Sequence, residues 1–186
     1  MTPEKVLGKL RKSKLLTIQN NDRIHTWTRG GWANHDAPLT NYDKNYLPRL
    51  KEYFGLDAVI VKSKELIQEI GTVETKQAEK IANMWISEAK EVINVTKQDV
   101  VRSASLYIAH KELMRKYNAN AITMSSWALI PDGEIKAMPP LAEMELAKEL
   151  IPCCCESDIN ALVTQMIGTY ISRRPGFVGD VVSNKA

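Results

Sequence analysis

Several common features are missing from this sequence, and each absence excludes a class of protein. None of its nine glycines forms a G-x-G-x-x-G dinucleotide motif or a Walker A phosphate loop. A G-x-S-x-G nucleophile elbow is also missing. The apolar run that follows the basic N-terminal residues is only about one strand long, so the sequence predicts neither a signal peptide nor a membrane span.

Neither positive nor negative charge is in large excess. The formal net charge is only +3, and no cluster of Lys and Arg is interleaved with aromatic residues. We therefore predict no nucleic-acid partner. The three histidines, His25, His35 and His110, are scattered along the chain. We interpret them as surface or packing residues rather than as catalytic bases or metal ligands.

The only cysteines, Cys153, Cys154 and Cys155, are consecutive. Neighbouring residues of an extended segment point to opposite faces, so these thiols cannot build a disulfide framework or close one metal site together. They are typical of small reduced thiols at a strand end, which predicts a cytoplasmic protein. A weaker alternative is a thiol-dependent or redox protein, which rapid labelling by a mild alkylating reagent would favour.

Apolar patterning predicts alternating strands and helices in one domain of 186 residues. The predicted strands are 15–18, 57–61, 120–124 and 150–154, with a final short strand beginning at Phe177-Val178; the predicted helices are 46–54, a short one from Ser63, 75–93, 96–117, 141–149 and 157–172. Local signals support these boundaries: Gly55 for a helix end, Ser63 for a cap, and Asp99 for a capping box. This order predicts an α/β fold, a three-layer αβα sandwich with a mainly parallel, Rossmann-like sheet.

Polar residues follow three of the predicted strands or segments, where ligands of parallel sheets bind. They are Ser125-Ser126-Trp127, Glu156 with Asp158, and Asp180. Carboxylates at the ends of buried strands are costly unless something pairs with them, and a divalent metal is one such partner. Asp158 opens a predicted helix, where an acid also stabilises the first turn, so we interpret it as structural.

Five segments together carry a family resemblance. They are Lys51-Glu-Tyr-Phe-Gly55, Leu106-Tyr107, Asn120-Ala-Ile-Thr-Met124 leading to Trp127, Cys155-Glu156-Ser157-Asp158, and Pro175-Gly-Phe-Val-Gly-Asp180. From about residue 15 to its C-terminus the chain resembles the central α/β domain of the L-fucose isomerase-like family, which includes L-arabinose isomerase-type enzymes. The Cys-Glu-x-Asp element and the helix leading to Gly-Asp are the most specific parts.

The resemblance implies a metal-dependent aldose–ketose isomerase that acts on a sugar such as L-fucose or L-arabinose through an ene-diol. It implies that Glu156 and Asp180 bind Mn²⁺, with Mg²⁺ as the alternative, and also serve as base and acid. Trp127 would line the sugar site, although core packing explains this residue equally well. The resemblance further implies a homo-oligomer.

The sequence also departs from the family. The family completes its metal site with a histidine from a later domain, and no histidine follows Glu156 here. We therefore expect residues 1–186 to be a single α/β domain, the middle portion of a longer protein, which binds Mn²⁺ weakly and does not isomerise sugar alone. The alternative is a non-catalytic α/β binding or interaction module. A close approach of the Glu156 and Asp180 carboxylates would favour the isomerase.

Overall fold

The computed structural model describes residues 2–19, 41–130, 133 and 135–179, without the side chains of residues 41–44, 127 and 128. Eight helices and four strands lie within these residues. In chain order they are α1 (Pro3–Leu10), β1 (Lys14–Gln19), α2 (Asn41–Phe54), β2 (Asp57–Lys62), α3 (Ser63–Thr72), α4 (Thr75–Glu88), α5 (Lys97–Tyr117), β3 (Ala121–Met124), α6 (Ser126–Leu129), α7 (Pro139–Lys148), β4 (Cys153–Cys155) and α8 (Ile159–Ser172).

The four strands form one parallel sheet in the order β2-β1-β3-β4. Strand β1 lies between β2 and β3, with Leu16 opposite Val59 on one side and Ile122 on the other. Leu15, Leu16 and Ile18 are fully buried, as expected for a strand covered by helices on both faces. The predicted α/β class with a parallel sheet is confirmed.

Two hydrophobic clusters fill the two faces of the sheet. Helices α3, α5 and α7 cover one face and contribute Leu66, Leu106 and Leu146 among others. Helices α1, α2 and α8 cover the other face. Helix α4 contacts mainly α5, through a smaller cluster that contains Trp85 and Ile108. The result is a three-layer sandwich of helices, sheet and helices, with α4 as one additional helix that packs on the outside of α5.

Helix α4 is shorter than predicted. It ends at Glu88 because Ala89 is extended, whereas the sequence pattern predicted a helix to residue 93. The buried residues Ala78, Ala82 and Trp85 confirm the first part of the predicted stripe. Val92 was counted in that stripe but is 45% exposed, so beyond Glu88 the periodic pattern has no surface to pack against.

Strand β4 is also shorter than predicted, since residues 150–152 do not belong to it. Leu150 has a positive φ of 61°. The amides of Leu150 and Ile151 donate to the carbonyls of Ala147 and Leu146, at 2.9 and 3.1 Å. This hydrogen-bond pair is a Schellman motif, which ends α7 with leucine where glycine is usual. The predicted strand at Phe177-Val178 is wrong as well, because both residues are irregular and Phe177 is 92% exposed.

The predicted caps had mixed outcomes. Thr96 and Asp99 form a reciprocal capping box at the start of α5, as predicted. Gly55 follows α2 with a φ of 66°, which fits the predicted glycine end. Ser63 does not cap α3: the N-cap position is Lys62, and no side chain forms a capping hydrogen bond there. Among the described helices, none is long and apolar enough to span a membrane.

Candidate functional site

The candidate site lies at the carboxyl edge of the sheet, at the point where the order of the strands reverses. After β1 the chain forms β2 on one side and then β3 on the other, so the switch point lies between β1 and β3. Ligands of open parallel sheets bind at such points. Two backbone hydrogen bonds hold the edge together: Ser125 N–H donates to the Ile18 carbonyl (2.8 Å), and Ser157 N–H donates to the Met124 carbonyl (3.0 Å).

The turn after β4 has an unfavourable backbone conformation. Glu156 and Ser157 have φ values of 71° and 54°, and neither is glycine. Each such residue costs on the order of 1–2 kcal/mol for an L-amino acid. The turn is held by the Ser126 hydroxyl, which accepts from Glu156 N–H (3.2 Å), and by the Ser157 hydroxyl, which donates to the Ile18 carbonyl (3.4 Å). Backbone strain of this kind is typical of functional sites. Here the strained turn determines the direction in which the chain continues from β4 at Glu156.

Asp158 has the structural role that the sequence predicted. Its carboxylate accepts a hydrogen bond from Ala161 N–H (2.9 Å) and is the N-cap of α8. An N-cap acid satisfies a free amide and interacts favourably with the positive end of the helix. Asp158 is therefore held at the helix start, whereas the Glu156 carboxylate has no such capping role.

The negative charge of Glu156 acts on a second glutamate, Glu143 of α7. Burial raises the pKa of Glu143 to about 7, and the negative charge of Glu156 adds to that rise. Both side chains are half-buried. Within the described part of the chain, neither forms an ion pair with Lys or Arg. Two carboxylates that share a partly desolvated region without a cation repel each other, so a bound cation would stabilise both.

The Glu143 side chain was not singled out from the sequence. Thirteen residues separate it from Glu156, and no motif links them. One signal was available: Glu143 lies three residues before Leu146, which is fully buried, so it shares the inner side of α7. The packing of α7 on β4 then brings it to the site, as the Cys153 thiol donating to the Glu143 carbonyl (2.9 Å) shows.

The three cysteine side chains are free thiols, as predicted. Burial raises the pKa of Cys155 to about 12, and the charges of Glu143 and Glu156 contribute. Burial also raises the pKa of Cys153 to about 12. A thiol that stays protonated at neutral pH is a poor nucleophile, so these pKa values argue against a thiol-dependent enzyme.

His110 is the remaining histidine that the structure describes. It is 1% exposed on α5, and neither ring nitrogen has a hydrogen-bond partner there. Burial lowers its pKa to about 4, so the ring is neutral at pH 7. This environment agrees with the predicted packing role. His25 and His35, with the predicted long loop of residues 20–40, lie outside the described residues.

Two predicted site residues cannot be placed. Asp180 lies outside the described residues, and Trp127 is described only through its backbone in α6. The predicted approach of the Glu156 and Asp180 carboxylates therefore remains a prediction. Among the described residues, no group of three His, Cys, Asp or Glu side chains is arranged to hold a metal ion.

No family model matches the chain, and no curated protein matches it significantly. The predicted family membership therefore depends on the residues that carry the resemblance and on the site around Glu156.

Proposed function

We propose that this chain supplies part of the active site of a metal-dependent aldose–ketose isomerase, acting on a sugar such as L-fucose or L-arabinose. One observation carries the proposal. Glu156 is held in a strained turn at the carboxyl edge of the sheet, and its charge acts on a second carboxylate, Glu143, that lacks a cation partner among the described residues. This is the position in which a parallel sheet binds ligands.

The donors at the site fit a hard divalent cation. Carboxylate oxygens are the ligands that Mn²⁺ and Mg²⁺ prefer, whereas thiolates prefer softer metals. A cation at Glu156 would also relieve the repulsion between Glu156 and Glu143. We propose Mn²⁺ as the cofactor, with Glu156 and Asp180 as its two carboxylate ligands from this chain.

Aldose–ketose isomerisation moves one proton between C1 and C2 of the sugar through an ene-diol. When bound, the metal would hold the two sugar oxygens and stabilise the negative charge that develops on them. Glu156 would take the proton from one carbon and return it to the other, since a positioned carboxylate can act as both base and acid. The hydrogen bonds from Glu156 N–H to the Ser126 hydroxyl and from the Ser157 hydroxyl to the Ile18 carbonyl hold the turn, and so fix the backbone that carries this carboxylate.

The other parts of the proposal concern Asp180, Trp127, the location of the protein and its self-association. Asp180 would be the second ligand and acid–base group, and Trp127 would line the sugar site. We further propose that the protein is cytoplasmic and self-associates.

A Mn²⁺ titration tests the proposal, with free Mn²⁺ measured by electron paramagnetic resonance. We expect weak but measurable binding to the chain, weakened at least about tenfold by Glu156→Gln, since even outer-shell partners of a metal contribute that much. Glu149→Gln is the matched control, because Glu149 forms an ion pair with Lys111 (2.7 Å) away from the site. Equal binding by the wild type and the Glu156 variant would exclude Glu156 as a ligand.

An activity assay tests the role of the chain alone. Because no described trio of side chains completes a metal site, we expect no conversion of L-fucose or L-arabinose to the ketose. Ketose formation that is lost in Glu156→Gln would overturn the expected inactivity and support the isomerase assignment directly.

The second candidate is a non-catalytic α/β binding or interaction module. The observation that favours it is the same missing trio among the described residues. The Mn²⁺ titration separates the two candidates, because a module that lost the chemistry would bind Mn²⁺ no better than its Glu156→Gln variant.

A further inference from the structure

A cavity of about 270 Å³ lies between α3, α5 and the segment 135–137 that precedes α7. Its lining is largely apolar, with Ile67 and Ile70 from α3 and Ile135 and Ala137 from the segment. None of the described residues that line it belongs to the turn after β4, so this cavity is distinct from the candidate metal site. Largely apolar cavities with a few placed polar groups are typical of small-molecule sites.

The floor of the cavity is buried and the rim is exposed. Ile135 and Ala137 are 3% and 6% exposed and belong to the cluster that fills this face of the sheet. The Ile135 amide donates to the Leu129 carbonyl (3.1 Å), which ties the segment to the end of α6. Ile67 lines the same cavity and is 39% exposed, although its side chain is large and apolar. The apolar part of a ligand would cover Ile67 and gain the free energy of its burial.

The charged residues at the cavity have one sign. Arg102 and Lys136 line it, and no Asp or Glu is among the described residues that do so. Lys136 is exposed between the buried Ile135 and Ala137, and it forms no ion pair with a described residue. The cavity therefore combines an apolar floor with two cations, which is the complement of a ligand that has an apolar body and an anionic group.

Arg102 keeps free donors for such a ligand. Its Nη1 donates to Asp99 Oδ1 (2.9 Å). The other oxygen of Asp99 accepts from the Thr96 amide (2.9 Å) and hydroxyl (2.6 Å), so this carboxylate is held in the capping box of α5. A guanidinium group has about five N–H donors, and the other nitrogens of Arg102 have no acceptor among the described residues. Asp99 is therefore engaged, whereas Arg102 can still donate to an anion.

We propose that this cavity binds a small carboxylate with an unbranched apolar chain of about eight carbon atoms, its chain against the isoleucines and its carboxylate between Arg102 and Lys136. The cavity volume corresponds to about nine water molecules, which is close to the roughly ten non-hydrogen atoms of octanoate. A charge-assisted hydrogen bond from arginine to a carboxylate is stronger than a neutral one and fixes the orientation of the ligand. This inference does not depend on the proposed isomerase function.

Octanoate is the probe, titrated into the whole chain and followed by heteronuclear NMR of the backbone amides. We expect saturable binding with a dissociation constant on the order of 1 mM, as for other ligands of about this size. The shifting amides should be those of α3, of the first half of α5 and of residues 135–137. Butanoate should bind at least about tenfold more weakly, because each buried methylene can contribute up to about fourfold. Octylammonium, with the same chain and the opposite charge, should not bind saturably.

A matched pair of arginine variants tests the charge. Arg102 pairs with Asp99 three residues before it, and Arg115 pairs with Glu112 in the same way on the same helix. Arg102→Gln should weaken octanoate binding about 2- to 5-fold, the range for an exposed ion pair. Arg115→Gln removes the same charge about 20 Å further along α5 and should leave octanoate binding unchanged.

Two more variants test the rim. Lys136→Gln should weaken octanoate binding about 2- to 5-fold, as for Arg102→Gln. Ile67→Glu should weaken it at least about tenfold, because the variant removes apolar contact and places a like charge beside the carboxylate. Both positions are exposed, and thermal unfolding confirms that the variants fold.

Three outcomes would overturn the inference. Absence of saturable octanoate binding, or shifts confined to other parts of the chain, would show that the cavity is not a carboxylate site. Equal binding of octanoate and octylammonium would show that the two cations do not select the ligand. Equal losses in Arg102→Gln and Arg115→Gln would show that octanoate responds to net charge and not to the arginine at the cavity.

Discussion

Two glutamates, one within helix α7 and one just after it, lie in opposite environments. Just after the helix, burial acts to raise the pKa of Glu149, but hydrogen bonds from Lys111 and Tyr107 outweigh burial and leave this pKa below its ordinary value. In the middle of the helix, burial and the charge of Glu156 both raise the pKa of Glu143, to about 7. Glu149 is therefore paired with a cation, whereas Glu143 has no cation partner among the described residues.

This difference distinguishes the acids that stabilise the fold through a cation or hydroxyl partner from the acids that have no such partner. Glu65 resembles Glu149: it forms an ion pair with Lys116 (2.7 Å) and accepts from the Tyr117 hydroxyl. Glu143 and Glu156 have neither kind of partner among the described residues. Acids that keep a fold together are usually paired, so Glu156 in its strained turn and Glu143 on α7 differ from the structural acids of this fold, which is the basis of the proposed cation site.

The largest expected effect concerns the thiol beside the two acids. Because burial, Glu143 and Glu156 raise the pKa of Cys155 to about 12, we expect iodoacetamide at pH 8 to label it about 10²- to 10³-fold more slowly in the native protein than in urea. Mass spectrometry of the labelled cysteines measures both rates. Rapid native labelling of Cys155 would break the comparison and revive the thiol-dependent alternative.

The second effect concerns His110, which is buried without a hydrogen-bond partner for either ring nitrogen. Its folded pKa of about 4 lies below the unfolded value of 6.5, so its contribution to stability is present above pH 6.5 and lost as the pH falls toward 4. We expect this residue to lower the free energy of unfolding by about 2–3 kcal/mol between pH 7 and 4.5.

The measurement is urea unfolding at both pH values for the wild type and His110→Leu. The leucine variant should lose that part of the pH dependence. It should also be as stable as the wild type or more so at pH 7, because it removes two unpaired buried nitrogens. An unchanged pH dependence would show that His110 is solvated or partnered in solution.

The smallest effect compares the two glutamates directly. Glu143 has a folded pKa above its unfolded value, so it favours folding at acid pH and that benefit is lost as the pH rises through 7. At pH 8 we expect Glu143→Gln to raise the free energy of unfolding by about 1–2 kcal/mol, a value discounted for its partial exposure.

Glu149→Gln is the matched substitution and should lower the free energy of unfolding by about 0–1 kcal/mol, the range for a partly exposed ion pair. Urea unfolding at pH 8 without divalent cations measures both. Equal signs for the two variants would contradict the difference between the two positions. Added Mn²⁺ should then stabilise the wild type more than Glu156→Gln, which links the comparison to the proposed cofactor.

Sequence patterns predicted the elements whose signals are local. The capping box of Thr96 and Asp99, the glycine end of α2 and the buried strand around Leu16 depend on neighbouring residues alone, and all three were found. Helix α4 and strand β4 were predicted too long, since their limits depend on packing. Val92 continues the apolar period without a surface to cover, and Leu150 belongs to a helix end although it reads as a strand residue.

The candidate site divides in the same way. The sequence by itself determined the α/β alternation and the position of Glu156 directly after a strand, because the periodicity and the adjacency of residues are properties of the chain. Only the tertiary structure decided that Glu143 shares the site and that the thiols beside it stay protonated. The physical reason is distance in the chain: α7 must pack on β4 before the charge of residue 156 can act on residue 143, and burial raises a pKa only after the surrounding layers have excluded water.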